Sequence, residues 1–436
     1  MRPTKLSILA GAVALVAAPL AACGSSSSGG GSSAHPTITY WASNQGTSLQ
    51  DDRQVLGPQI AKFTKQTGIK VNFQVIPWTT LLSQITAAAA SGKGPDVLNI
   101  GNTWSASLQA TGAFLPFTPS VMKTIGGSSR FLAGSLSATG AAGKPPVAVP
   151  LYSLAYGLYY NKAEFAAAGI SGPPATWTQF VADAKKLTKG GHWGLTLEAG
   201  QVPENIHLAF ELSQQLGGSF YNSAGQPTFD TPQNVAAVKQ MIDFMQTDKI
   251  VNPSDAQYSK GTEALNDYAT GKAAMVFWQA ASGSLAKLGM KASDIGVAPL
   301  PLPSPLPAGG RKVTSMVAGI NIAIFKDSPN LAAAEKFVRF MTSTTEQESL
   351  NQTYGSLPTV QAAYSDPAFN TPDVHTFRSI LTTTAAPMPA VATESQFETA
   401  VGTAIIHLFA SAATGKTVTS TMVAQALTQA QQQIQG

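Results

Sequence analysis

Aromatic and amide side chains follow three consecutive predicted strands, at the point where each strand ends. The stretches are 41–45 (Trp-Ala-Ser-Asn-Gln), 77–78 (Pro-Trp) and 101–104 (Gly-Asn-Thr-Trp). Because ligands in open parallel sheets sit beyond the carboxyl ends of the strands, we expect these side chains to converge on one site. Aromatic rings can cover the flat C–H face of a sugar, and amides offer paired donors and acceptors to its hydroxyls. With few charges in these loops, the pattern favours a neutral carbohydrate over an amino acid, a phosphate or a metal.

Catalytic signatures are weak in comparison. A glycosidase needs two carboxylates about 5 to 10 Å apart, and no spacing in the chain singles out such a pair. The five histidines are scattered, and the sequence has no His-Glu-x-x-His motif, Cys cluster or Gly-x-Ser-x-Gly turn. Glu204 and His207 have the i, i+3 spacing of metal ligands, but a single pair is a weak signal. We therefore predict no catalytic residue, metal or cofactor, and keep a secreted lipoprotein glycosidase as an alternative.

Alternating strands and helices position these loops. The pattern predicts strands over 38–41, 69–75 and 96–100, with helices over 54–66, 78–91 and 104–111. This order is typical of a parallel sheet with crossover helices, so the predicted fold class is α/β. Further strands are predicted over 157–160, 273–277 and 320–325. Further helices are predicted over 176–187, 205–217, 232–247 and 329–342, and from 394 onward with a break near Gly415.

The composition is that of a globular protein with a polar, weakly charged surface. Apolar residues make up 44% and charged residues 11% of the chain, against roughly 25% charged residues in an average domain. The length suits two or three domains. No basic block is present, so nucleic acid is not an expected partner.

The first residues are typical of an exported protein. Arg2 and Lys5 precede an apolar run that is too short to span a bilayer, which predicts a signal peptide over 1–22. Residues 20–23, Leu-Ala-Ala-Cys, resemble the lipobox of bacterial lipoproteins. Cys23 is the single cysteine, and a Gly/Ser-rich tether follows it over 23–35. The sequence predicts a lipid on Cys23 and a location on the outer face of the cell membrane; a plain secretory signal is the alternative.

Five blocks carry a resemblance to a known family. They lie at 67–97, 149–177, 271–275, 318–321 and 355–358. In this order they resemble the extracellular solute-binding proteins of ABC importers, in the sugar-binding branch that includes maltodextrin-binding protein. The resemblance implies a type II-like fold of two α/β lobes, with the ligand in a cleft between them. It implies a lobe 1 of 36–151 plus 297–343, and a lobe 2 of 152–296 plus 344–436.

The function implied by the resemblance is capture of a sugar by cleft closure. A monomer would bind a di- or oligosaccharide and deliver it to the permease subunits of an importer. A glycerophosphodiester or glycerol phosphate is the alternative ligand within the family.

Ligand contacts follow from the strand-end loops and from the resemblance. Maltodextrin binders carry an Asp-Arg pair where this chain has Thr103 and Trp104, and a glutamate where it has Leu154. They also carry a stacking tryptophan where residues 397–402 read Phe-Glu-Thr-Ala-Val-Gly, and Met388 is an aliphatic substitute on that side. These departures argue against maltose itself. The predicted contacts are Trp41, Ser43, Asn44, Gln45, Asn102, Thr103, Trp104, Tyr152, Ser153, Glu198, Trp278, Gln279, Gly319 and Met388.

Overall fold

Three parallel strands and two crossover helices form the first part of the fold. The computed structural model describes residues 36–435, so the predicted signal peptide, tether and lipidated Cys23 lie outside the described residues. Strand β1 lies between β2 and β3 and pairs in parallel with both, which confirms the predicted order. The bounds are β1 Thr37–Ser43, α1 Leu49–Thr67, β2 Lys70–Ile76, α2 Trp78–Ser91 and β3 Val97–Gly101.

The ends of these helices have local causes. Ser48 precedes α1, and its side chain accepts a hydrogen bond from the Asp51 N–H, which satisfies one of the unpaired donors of the first turn. Gly68 ends α1 with a φ of 72°, a left-handed conformation that glycine adopts without steric cost. Helix α1 begins five residues before the predicted start because its first turn is polar and lacks the apolar period.

Two long strands connect the two parts of the sheet. Strand β4 spans Ala148–Asn161 and β7 spans Ser315–Ile324. Strand β7 pairs antiparallel with both β3 and β4. The first half of β4 pairs with β7 as far as Ala155, and from Tyr156 onward β4 pairs with β5 (Met275–Gln279) and β6 (Ile295–Ala298). Strand β4 therefore changes partners near its middle and joins both parts of the sheet, whose order is β2-β1-β3-β7-β4-β5.

The remaining elements surround this sheet. A two-residue strand β8, Ala385–Ala386, pairs with the start of β7. The remaining helices in the first half of the chain are α3 Ser105–Ala110, α4 Pro119–Thr124, α5 Ala133–Leu136, α6 Lys162–Ala167, α7 Trp177–Leu187 and α8 Val202–Gln215. Those in the second half are α9 Pro232–Gln246, α10 Glu263–Ala269, α11 Ser282–Lys287, α12 Leu331–Met341, α13 Thr344–Tyr354, α14 Pro372–Thr383, α15 Glu394–Ala413 and α16 Ser420–Gln435. Among these residues, no helix combines the length and the apolar character that a membrane crossing requires.

Most predicted elements are confirmed, with two kinds of difference. Strand β4 begins nine residues before the predicted 157–160 segment, because Pro150 interrupts the alternating pattern by which a strand is recognised. The sequence patterns did not predict α13 and α14, nor the short helices α4, α5, α6, α10 and α11. Helix α13 is largely polar and packs on α1, where Lys62 and Glu346 form an ion pair, and on α11. The proposed division into two lobes at 151/152, 296/297 and 343/344 stays a prediction.

Candidate ligand-binding cleft

A cleft with a volume of about 360 Å³ opens between the two sides of the molecule. Its size falls within the range of small-molecule sites in proteins, roughly 300 to 1,000 Å³. The loops after β1 and β3 form one wall, and the start of α8, the loop before α10 and the end of β5 form another. The crossing strands β4 and β7 contribute residues to its base.

The loop after β1 is held by one buried carboxylate. Asp52, in the first turn of α1, is fully buried and accepts the backbone N–H groups of Gln45 (3.1 Å) and Gly46 (2.8 Å). It also accepts the side-chain amide of Asn44. Burial raises the pKa of Asp52 although these three donors act in the opposite direction. Asp52 therefore fixes the backbone that presents Asn44 and Gln45 to the cleft.

Two tryptophans meet at the side of the cleft formed by β3 and α2. The rings of Trp78 and Trp104 lie edge to face, with centroids 5.5 Å apart. Trp78 Nε1 donates to the Asn44 carbonyl at 2.6 Å, and Trp104 Nε1 donates to Glu398 Oε2 at 2.7 Å. Both indole N–H groups are thus already engaged, so these rings can offer a ligand only their carbon surfaces.

The first turns of α8 bring a carboxylate and an imidazole to the base of the cleft. The Tyr156 hydroxyl lies 2.8 Å from His207 Nδ1 and 3.1 Å from Glu204 Oε1. The side-chain amide of Gln279, at the end of β5, donates to the same Glu204 oxygen at 3.3 Å. Glu204 and His207 lie one helical turn apart, so the i, i+3 spacing seen in the sequence does place them side by side.

A second carboxylate reaches this group from α15. Glu398 Oε1 lies 3.4 Å from His207 Nε2, and Glu398 is only 2% exposed. Burial acts to raise the pKa of Glu398, but His207, Glu394 and Thr103 hold it below its usual range. Burial and the adjacent Glu398 carboxylate raise the pKa of Glu394 well above its usual range. Burial likewise raises the pKa of Glu204. This group therefore consists of carboxylates gathered around the imidazole of His207.

The structure brings eight of the fourteen predicted contacts to the cleft wall. Of these, Gly319 lines the cleft from β7 and Gln279 from the end of β5. The complete set is Asn44, Gln45, Asn102, Thr103, Trp104, Trp278, Gln279 and Gly319. A role in ligand binding stays a prediction for each of them.

Trp41 and Ser43 lie away from the cleft because both side chains belong to β1, which extends two residues beyond its predicted end. The strand continues to Ser43, so the loop begins at Asn44. Ser43 is 1% exposed, and its hydroxyl accepts a hydrogen bond from the Asn99 amide at 3.1 Å. Trp41 packs against the apolar cluster beneath α2.

Tyr152 and Ser153 lie within the crossing strand β4 and not on the cleft wall. Tyr152 is 2% exposed and packs edge to face on Tyr354. The backbone of Ser153 exchanges two hydrogen bonds with Leu357. Both residues therefore stabilise the crossing strand by packing and by backbone hydrogen bonds.

Glu198 and Met388 also lie outside the cleft wall. Glu198 is 3% exposed and accepts the N–H groups of Gly261 (2.7 Å) and Ala264 (2.9 Å), so it holds the loop before α10, which does line the cleft. Met388 lines a separate cavity of about 40 Å³ with Asn102 and Thr103.

The strand-end loops contribute no carboxylate to the cleft, as the sequence predicts, but helices elsewhere in the chain do. Glu204, Glu263 and Glu398 all line it, together with Lys260 and His207. The spacing of Glu204 and His207 was the signal for one of these residues. Glu398 belongs to the segment 397–402 in which a stacking tryptophan was expected, and no local pattern identified it. Within residues 36–435, no three His, Cys, Asp or Glu side chains are grouped in a way that could hold a metal ion.

The amino-acid sequence is similar to a known protein family and to several of its members. A family model described as bacterial extracellular solute-binding protein matches residues 46–348. A protein of Brucella abortus named as a binding protein is 26% identical over 317 residues, 72% of this chain and 74% of its own length. A diacetylchitobiose binding protein of Streptomyces coelicolor is 24% identical over 368 residues, 80% of each chain.

Solved structures show the same architecture. The maltose-bound MalE3 of T. maritima superposes with a TM-score of 0.76 at 23% identity, covering 92% of this chain and 99% of that chain. This likeness confirms the α/β fold of two lobes that the sequence predicts. The family match covers more than half of the chain. The chain therefore belongs to the bacterial extracellular solute-binding proteins.

Proposed function

We propose that this protein is the ligand-capturing component of an ABC importer and that its ligand is a carbohydrate of di- to oligosaccharide size. The observation that carries the proposal is a cleft of about 360 Å³ in which Trp78, Trp104 and Trp278 lie beside the amides of Asn44 and Gln279. Tryptophan rings and amides are the groups that suit a sugar's C–H faces and hydroxyls. The relatives named for diacetylchitobiose and maltose support the same ligand class by likeness.

Capture proceeds by lobe closure in this proposal. An open form binds the sugar on one lobe, the crossing strands flex, and the second lobe closes over it. Contacts that the ligand makes to both lobes offset the free energy of closing. The closed form then docks on the permease in the membrane.

The charge of the cleft favours a carbohydrate over a glycerophosphodiester. Glu204, Glu263 and Glu398 line it, whereas Lys260 is the one lysine or arginine among its described lining residues. An anionic phosphodiester placed against this wall would meet like charges without an arginine to bind it.

The same carboxylates are the one observation that favours a glycosidase. Burial raises the pKa of Glu204, whereas its neighbours hold the pKa of Glu398 low, and such a divergence is typical of an acid and base pair. However, Glu398 is 2% exposed and is engaged by Trp104 and His207. Release of shorter sugars from an oligosaccharide by the purified protein would decide in favour of the enzyme.

The ligand class is tested by a thermal-shift screen across saccharides and glycerophosphodiesters, followed by calorimetry. We expect a saccharide to raise the melting temperature. Trp104→Ala and Trp278→Ala should each weaken its binding by about 1–3 kcal/mol, because ring contacts are lost. Trp193→Ala removes a half-buried tryptophan outside the cleft and serves as the control. Stabilisation by glycerophosphodiesters alone would refute the proposed ligand class, and equal saccharide affinity in all four proteins would refute the assignment of the tryptophans to the binding site.

Lipid attachment at Cys23 is part of the proposal, since the Gly/Ser-rich residues 24–33 would keep the binding protein near its permease. Cells that express the wild-type protein should incorporate labelled palmitate into it and retain it in the membrane fraction. Cys23→Ser should lose both properties while still binding the saccharide in solution. A membrane-bound, labelled Cys23→Ser protein would exclude this anchor.

A further inference from the structure

Glu204 lines the cleft and has one carboxylate oxygen that accepts no hydrogen bond from the described residues. Its Oε1 accepts hydrogen bonds from the Tyr156 hydroxyl (3.1 Å) and the Gln279 amide (3.3 Å). Within residues 36–435, no side chain or backbone group donates a hydrogen bond to Oε2, and Glu204 lines the cleft. This carboxylate is therefore held in a fixed orientation by two protein donors, with one oxygen left for a ligand.

Glu398 adds a second incompletely paired carboxylate to the same cleft. Its Oε2 accepts the Trp104 indole N–H, whereas its Oε1 has no hydrogen-bond partner among the residues described. The imidazole of His207 has its Nε2 3.4 Å from Oε1, and the side chains of Glu394 and Thr103 also lie beside this carboxylate. The other nitrogen of this imidazole is already engaged with the Tyr156 hydroxyl. One imidazole therefore lies beside two carboxylates, of which Glu398 is buried and Glu204 is half-buried.

The rim of the cleft does not correct this imbalance. Lys260 lines the cleft, but so does Glu263, whose carboxylate accepts the backbone N–H groups of Ser259 and Lys260. Burying carboxylates without full compensation costs free energy, and this cost is recovered when a cation with hydrogen-bond donors arrives. Within residues 36–435, no lysine or arginine side chain donates a hydrogen bond to Glu204.

We propose that the carbohydrate bound here carries a basic amino group, which the cleft receives against Glu204 with Glu398 nearby. This inference rests on the proposed function and specifies its ligand class. An ammonium group has three donors and forms charge-assisted hydrogen bonds with carboxylates, so it can use the free Oε2 of Glu204. The carbon faces of Trp104 and Trp278 in the same cleft also favour a cation.

A neutral sugar satisfies the carboxylates of this site less fully than an amino sugar does. Its hydroxyls can donate to Glu204, but they leave the negative charge uncompensated. The sequence favoured a neutral ligand because its strand-end loops are poor in charge, whereas Glu204 and Glu398 come from helices α8 and α15.

Three disaccharides with one backbone separate these possibilities. The β-1,4-linked dimer of glucosamine has free amines, diacetylchitobiose has them acetylated, and cellobiose has hydroxyls in their place. Calorimetry at low salt and about pH 6.5 should give the amine-bearing dimer at least about tenfold tighter binding than the other two, which corresponds to about 1.4 kcal/mol. Glu204→Gln should reduce this preference to about threefold or less.

Two further variants control the interpretation. Glu335→Gln removes a carboxylate on α12, where it accepts a hydrogen bond from the Thr124 hydroxyl outside the cleft, and should keep the full preference. Gln279→Lys places an ammonium beside Glu204 without removing it, and should abolish the preference even if Glu204→Gln proves unstable. Circular-dichroism melting curves establish that each variant is folded at the temperature of the titration.

The outcomes distinguish this inference from the proposed function. Equal binding of all three disaccharides by the wild-type protein, or an unchanged preference in both Glu204→Gln and Gln279→Lys, would overturn the inference and leave the carbohydrate proposal intact. Failure of these disaccharides and of every other saccharide in the screen would overturn the proposed function itself. If spermidine bound as tightly as the glucosamine dimer, the sugar ring would not be recognised. That result would count against the amino-sugar inference and against the proposed function.

Discussion

Glu211 lies beneath the base of the cleft, two turns after Glu204 on α8. It is 1% exposed, and its Oε1 accepts the backbone N–H of Met316 at 2.8 Å. Burial raises the pKa of Glu211 to about 8, and the nearby Glu204 carboxylate adds to this effect. In the folded protein at neutral pH this carboxyl group is therefore mostly protonated, whereas in the unfolded chain it ionises above about pH 4.3.

The raised pKa of Glu211 makes the stability of the protein depend on pH. The folded state holds a proton that the unfolded state has lost, so the free energy of unfolding falls as pH rises from about 4.5 through 8. Glu211→Gln keeps an oxygen for the Met316 N–H but cannot ionise. We expect the variant to lose less stability than the wild-type protein between pH 5 and pH 9, with a difference of at least about 1 kcal/mol.

Urea unfolding at these two pH values measures the effect. Glu335→Gln, on the surface of α12, is the matched control and should follow the wild-type curve. Burial also raises the pKa of Glu198 to about 8 and of Asp255 to about 7, so the comparison must be made between variants and not from the wild-type slope alone. Identical pH dependence in Glu211→Gln and wild-type protein would contradict the assignment.

At the scale of elements, the approach of β4 and β7 sets the geometry of the cleft base. Gly319 of β7 pairs with Ser153 of β4. A Cβ atom added at Gly319 would lie 2.8 Å from the Tyr152 carbonyl oxygen, a distance that real Cβ contacts do not show. The neighbour is backbone, so it cannot rotate away, and the two strands would have to separate. Gly319 is thus required by the close approach of the strands and not by its own backbone angles.

Gly319→Ala should lower the free energy of unfolding by about 1–3 kcal/mol, because it overpacks this crossing. It should also weaken saccharide binding, since Gly319 and Asn102 line the same part of the cleft. Gly134→Ala in α5 is the control, because a Cβ there meets no atom within 4 Å. Urea unfolding and calorimetry on both variants test the prediction, which fails if Gly319→Ala is as stable as Gly134→Ala.

At the scale of the whole molecule, the parts of the fold that depend on local pattern could be predicted. Helix α2 has the predicted bounds because a clear apolar period runs from Trp78 to a terminating Gly92. Similarly, Thr176 accepts the Gln179 N–H at the start of α7, as its capping sequence predicts. The order of the family blocks supplied the two-lobe arrangement, which no local pattern contains.

The parts of the site that depend on distant contacts could not be predicted. Glu398 accepts the Trp104 N–H from 294 positions along the chain, and no spacing rule relates two such residues. Ser43 was misplaced for a smaller reason, since two additional residues in β1 move its side chain from the loop into the sheet. Trp41, the last residue of the predicted strand, packs on the apolar cluster beneath α2. Sequence patterns therefore located the cleft, whereas its charge depends on how α8 and α15 pack together.

The tryptophans of the cleft, including the contacting pair Trp78 and Trp104, give this protein an intrinsic fluorescence that a ligand can change. Three of the six tryptophans, Trp78, Trp104 and Trp278, line the cleft, and the indole N–H of Trp104 faces a carboxylate. Indole emission responds to nearby charge and to water. Arrival of a ligand alters both around these rings, so the intrinsic fluorescence of the unlabelled protein should report occupancy in real time. The molecule is thereby a ready scaffold for a reagent-free sensor of the solute that it binds.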